Sequence, residues 1–76
     1  MLQIKPGDTV ILIGLPPGFS EDLPTEDQQA LFDVIGKVVR FRGRDEDGRC
    51  ELEFNDHDGV THVIYVHEEF ISPKSS

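Results

Sequence analysis

The sequence predicts a small, mainly β domain: five antiparallel strands bent into a barrel, with one short helix inserted in the long first loop. Three observations carry this. Two hairpins with Asp-Gly turns follow one another between residues 36 and 66, and a polar break before Phe70-Ile71 leaves room for a short closing strand. The chain has 76 residues, a size at which about 60% of the unfolded surface is buried, so one domain with one core is the limit.

Composition narrows the function classes. Hydrophobic residues make up 37% and charged residues 29%, and the clustered Val, Ile, Leu and Phe argue against disorder. Fifteen acidic and seven basic residues give a net charge of -8, which repels a phosphate backbone and favours basic protein partners. Nucleic acid is therefore disfavoured. The single Cys50 cannot form an internal disulfide, Met1 to Lys5 lack the apolar core of a secretory signal, and no apolar run nears the roughly 20 residues of a membrane span. A cytoplasmic protein away from membranes is expected.

In chain order, Pro6-Gly7 turns into a strand over residues 8 to 13, where Thr9-Val10-Ile11-Leu12-Ile13 is apolar on both faces and is expected to be covered on both. The stretch from Lys5 to Gly14 resembles the opening of short barrel repeats found in ribosomal and transcription factors. Leu15-Pro16-Pro17-Gly18-Phe19-Ser20 must be a loop, because two prolines remove donors and Gly18 permits a tight turn. Thr25-Glu26-Asp27-Gln28 reads as a capping box opening a helix over 26 to 34, with Gly36 as its stop. Leu31 and Phe32 are expected to plug an open end of the barrel.

Residues 36 to 43 and 49 to 55 form the clearest hairpin. A four-residue loop from Asp45 to Gly48 sets Arg44 opposite Arg49, and then pairs Gly43 with Cys50, Arg42 with Glu51, Phe41 with Leu52, Arg40 with Glu53 and Val39 with Phe54. The apolar pairs share one face and the opposite-charge pairs the other, and a one-residue slip would mix them. Cys50 then points inward.

The run Ile64-Tyr65-Val66-His67-Glu68-Glu69-Phe70-Ile71 resembles the closing segment of the Src-homology-three-like (SH3-like) barrels. That likeness implies a strand over 60 to 66, one turn of 3₁₀-helix, and a last short strand over 70 to 72. It also implies that Val66 lies inside, with Ile64 and His62 on the same face and Val63 and Tyr65 outside. A three-residue loop His57-Asp58-Gly59 with a left-handed Gly59 then meets the parity of both strands. The domain is expected to span 1–72, followed by a flexible tail over 73–76. Peptide-binding members of that family carry an Ala-Leu-Tyr-Asp-Tyr type motif and a groove tryptophan. This chain reads Leu15-Pro16-Pro17-Gly18-Phe19 and has no tryptophan, so proline-helix recognition is not implied.

His57, His62 and His67 recur every five residues, a spacing that on a strand alternates faces and separates neighbours by about 16 Å, so no metal site is expected. Asp45-Glu46-Asp47-Gly48 and Asp56-His57-Asp58-Gly59 imitate the middle of a calcium loop, but Gly43, Phe54 and Tyr65 occupy ligand positions they cannot serve. They read as turns. An inward Cys50 is inert, and nothing suggests an enzyme or a cofactor.

What remains is a surface. Tyr65 and Phe70 are expected to point outward near the end of the fourth strand, with Phe19 at the tip of the first loop and Glu21, Asp22, Glu68 and Glu69 around them. Aromatics among acids suit a protein partner with apolar anchors and Lys or Arg. The alternative is a nucleic-acid- or ribosome-associated barrel using a stripe of Lys37, Arg40, Arg42, Arg44 and Arg49.

Overall fold

The structure, a computed structural model, describes residues 4–19, 21 and 23–73. Its elements are β1 (Thr9–Leu12), α1 (Thr25–Val34), β2 (Val38–Arg44), β3 (Cys50–Asn55), β4 (Thr61–Val66), a 3₁₀ turn (Glu68–Phe70) and β5 (Ile71–Pro73). Each lies within two residues of its expected place. All five strands join one antiparallel sheet in the order β4-β3-β2-β1-β5.

That order is linear, so the sheet is not closed into the expected barrel: β4 and β5 stand at opposite ends. β5 has three residues and pairs with β1 through Ile71, Ser72 and Pro73. Its other edge is not hydrogen-bonded to β4. Pro73, read as the first tail residue, is paired with Val10, and residues 74–76 lie outside the described residues. The described residues contain no helix long and apolar enough to cross a membrane.

Both hairpins turn on the same device. In each, an aspartate amide donates to the carbonyl four residues on (Asp45 to Arg49, Asp56 to Val60, both 2.9 Å), and a glycine amide donates back to that aspartate's carbonyl (3.0 Å in each). The aspartate Oδ1 accepts two further amides, from Asp47 and Arg49 in the first turn and from Asp58 and Val60 in the second. Gly48 and Gly59 sit at φ 81° and 83°, the left-handed position such a three-residue loop requires. The second loop is as the sequence predicts. The first is one residue shorter than expected.

A β-bulge between Phe41 and Gly43 restores the register. Near the turn the pairs are Arg44 with Cys50 and Gly43 with Glu51. Beyond Arg42, the extra residue, Phe41 meets Leu52 and Arg40 meets Glu53 as expected. Gly43, at φ 144°, takes the bulge conformation that a side chain would strain. The apolar faces are therefore shared for a different reason from the one the spacing suggested.

The core consists of Val10, Leu12, Val39, Phe41, Cys50, Leu52, Phe54, Ile64, Val66 and Ile71 from the strands, with Ala30, Leu31 and Val34 from α1. Positions 30, 31 and 34 share one side of a 3.6-residue helix. Phe32 falls off that side and is about half exposed, so it does not plug the core with Leu31. β1 is fully covered on one face and only partly on the other: Val10 and Leu12 are fully buried, Ile11 is half-buried, and Ile13 just past the strand is exposed. The helix begins one residue earlier than expected, with Pro24 at the N-cap and no side-chain cap. Gln28 does reach back, but its amide donates to the Leu23 carbonyl at 2.9 Å.

Candidate functional site

The expected surface residues do not form one patch. Tyr65 points outward from β4, as its parity demands, and its hydroxyl donates to Glu51 Oε1 at 3.1 Å. The Arg49 guanidinium lies 6.0 Å from its ring centroid, within cation–π reach. Tyr65 shares a shallow depression with Asp45, Glu46, Asp47 and Arg49. Glu68 and Glu69 line a different one with Arg44, Gly48 and His67, and Glu68 is paired with Arg44 at 2.9 Å. The hydrogen bond to Glu51, followed by that carboxylate's charge, pushes the Tyr65 phenol above its ordinary range.

The other two aromatics are not free-standing. Phe19 and Phe70 are half-buried and pack against the core, because the first loop and the 3₁₀ turn fold over its margin. The Phe70 ring lies beside Gly14, and its carbonyl accepts the Ile13 amide at 2.9 Å. Glu21 is exposed next to Gly18, and Asp22 lies outside the described residues.

A cluster that the sequence did not reveal joins the helix to the second hairpin. His62, with its side chain only 16% exposed, stacks on Phe54 at 5.3 Å between centroids. One ring nitrogen meets Asp56 Oδ2 at 2.9 Å and the other lies 3.6 Å from Asp27 Oδ1 on α1. Inward parity at residue 62 and an aspartate six residues earlier were the available signals. The partner on α1 is set by tertiary packing alone.

The acid limb of stability follows from Asp56 and Asp45. The His62 hydrogen bond, helped by the Val60 and Asp58 amides, holds Asp56 below the ordinary carboxylate range. Asp45 is pushed up by desolvation, but the Arg49 amide and guanidinium outweigh this and leave it lowered. A depressed folded-state pKa gives stability that is present above the unfolded value, near pH 4, and lost as pH falls through the folded one. Urea midpoints should therefore drop below about pH 4. Asp56→Asn, which keeps the Oδ1 acceptor for the two amides but cannot titrate, should flatten that decline.

The basic stripe is largely paired. Arg42 bridges Glu51 at 3.2 Å and Glu53 at 3.8 Å, so it serves both acids that the spacing divided between Arg40 and Arg42. Arg44 meets Glu68, and Arg49 meets Asp45 and Asp47. Among the described residues, Lys37 and Arg40 make no ion pair. Both line a cleft of about 680 Å³, whose wall also carries Asp33, Glu53 and Asp56. Cys50 is fully buried, and desolvation raises its thiol pKa. Among the described residues no group of three or more His, Cys, Asp or Glu side chains is placed to hold a metal ion. No protein-family model, curated protein or solved structure matches the chain.

Proposed function

We propose that the domain is a non-catalytic protein-interaction module with a Src-homology-three-like core, acting in the cytoplasm and engaging a basic protein partner through the surface around Tyr65. One observation carries the reading. The depression beside Tyr65 and the partner of its hydroxyl bring Asp45, Glu46, Asp47 and Glu51 together with Arg49 and Arg42, four acids against two cations. The 3₁₀ turn leading into a short β5 that pairs with β1 supports the family likeness, although the sheet itself is open. Such a field steers a Lys- or Arg-bearing partner and repels nucleic acid.

The test is affinity capture from the native host, followed by titration of the recovered partner. Tyr65→Ala is expected to weaken binding by about tenfold or more, the effect of truncating an aromatic anchor. Unchanged affinity would place the contact surface elsewhere. A parallel salt titration against single-stranded and duplex DNA and RNA should show only weak binding, and tight, steeply salt-dependent binding would overturn the reading in favour of the basic stripe.

A further inference from the structure

The two edges of the sheet are unlike. β5 is three residues long and ends in Pro73, which has no N–H to offer. β4 is six residues long, Thr-His-Val-Ile-Tyr-Val, with no proline, no Lys, Arg, Asp or Glu, and no bulge. Proline, charged side chains and a bulge, which often blunt an edge, are thus absent from it.

The register of the second hairpin fixes which backbone groups of β4 are open. The Asp56 amide donates to Val60, so His62, Ile64 and Val66 exchange ladder bonds with Phe54, Leu52 and Cys50. Thr61, Val63 and Tyr65 consequently turn their N–H and C=O groups away from β3. No backbone hydrogen bond from another described residue reaches them. Val60, Val63 and Tyr65 also expose apolar surface beside this edge. The edge itself is uncharged, but Glu51 and Glu53 lie across from Tyr65 and Val63, the Asp56-Asp58 turn lies at one end, and Glu68-Glu69 lie at the other.

The geometry points to strand addition. An extended segment of a partner protein pairs with β4 through Thr61, Val63 and Tyr65, places small apolar side chains along Val63, and sets lysines or arginines against the flanking acids. This rests on the interaction-module reading and specifies its mode. Charge decides the occupant: a second copy would bring the same net charge of -8 and the same acids to the edge, whereas a basic strand neutralises them.

The probe is a capped peptide, Lys-Lys-Val-Thr-Val-Thr-Lys-Lys, added to the whole chain while amide hydrogen exchange is followed by NMR. Exchange at Thr61, Val63 and Tyr65 is expected to slow by about tenfold or more at saturation. A Glu-flanked version should give no protection. A Lys-Lys-Gly-Pro-Gly-Pro-Lys-Lys peptide, which keeps the charge but cannot pair as a strand, should give none either. Val63→Lys, at a position already exposed, should keep the dispersed spectrum of the folded domain and lose the protection. Equal effects from the Gly-Pro peptide, or undiminished protection in Val63→Lys, overturn the proposal, as does a dimer in sedimentation whose contacts protect the same amides. If the edge stays unprotected while a captured host protein still requires Tyr65, strand addition fails and the module reading stands. Loss of both removes the module reading as well.

Discussion

Replacing Phe41 by alanine is expected to cost about 3–5 kcal/mol, the range for a large aromatic removed from a close-packed core. Phe41 is the largest of the fully buried side chains and faces Leu52 across the central β2–β3 ladder. Its backbone bonds are independent of the ring: its amide donates to Asp8 and its carbonyl accepts from Gly7, both at 2.8 Å. The substitution therefore leaves a cavity without breaking the sheet. Arg44, 5.7 Å from the ring centroid, also loses its aromatic neighbour. A domain of this size has about 4–11 kcal/mol of total stability, so Phe41→Ala should lose about a quarter of it or more. Urea denaturation measures this. The midpoint should fall sharply, and Phe41→Leu, which keeps much of the volume, should retain a cooperative transition.

Local rules made the strand and turn positions legible. Asp-Gly in both turns, β-branched runs between them and Gly36 after the helix each fix a backbone conformation within a few residues. The capping box failed because Pro24, not Thr25, takes the N-cap, where a fixed φ replaces a side-chain bond. The first hairpin shows how a right answer can rest on a wrong step. A loop one residue shorter and a bulge at Arg42 cancel, leaving Phe41 opposite Leu52, and pairing of charges alone could not detect either. Closure of the sheet was beyond reach of residue patterns, because it depends on how β5 divides its few backbone groups between neighbours. The site was legible only in part. Tyr65 follows from strand parity, while the burial of Phe19 and Phe70 depends on where two irregular segments fold.

Strand parity also supplies the sharpest contrast between adjacent residues. Lysine at position 64 is expected to cost about 3–5 kcal/mol, because it removes apolar contacts and leaves a cation in the core without a partner. Ile64 is 9% exposed and lies opposite Leu52, itself fully buried. Lysine at position 63, one residue away, should cost about 1 kcal/mol or less. Val63 is 41% exposed and faces Glu53, which can accept the new charge. The two variants share charge, strand and side-chain length, so general effects of composition cancel between them. Their urea midpoints should separate widely, with Ile64→Lys losing most of its cooperative transition and Val63→Lys remaining near the parent. Similar losses in both would mean that β4 does not divide its faces as Tyr65 and the open edge require, and the proposed binding surface would have no strand to stand on.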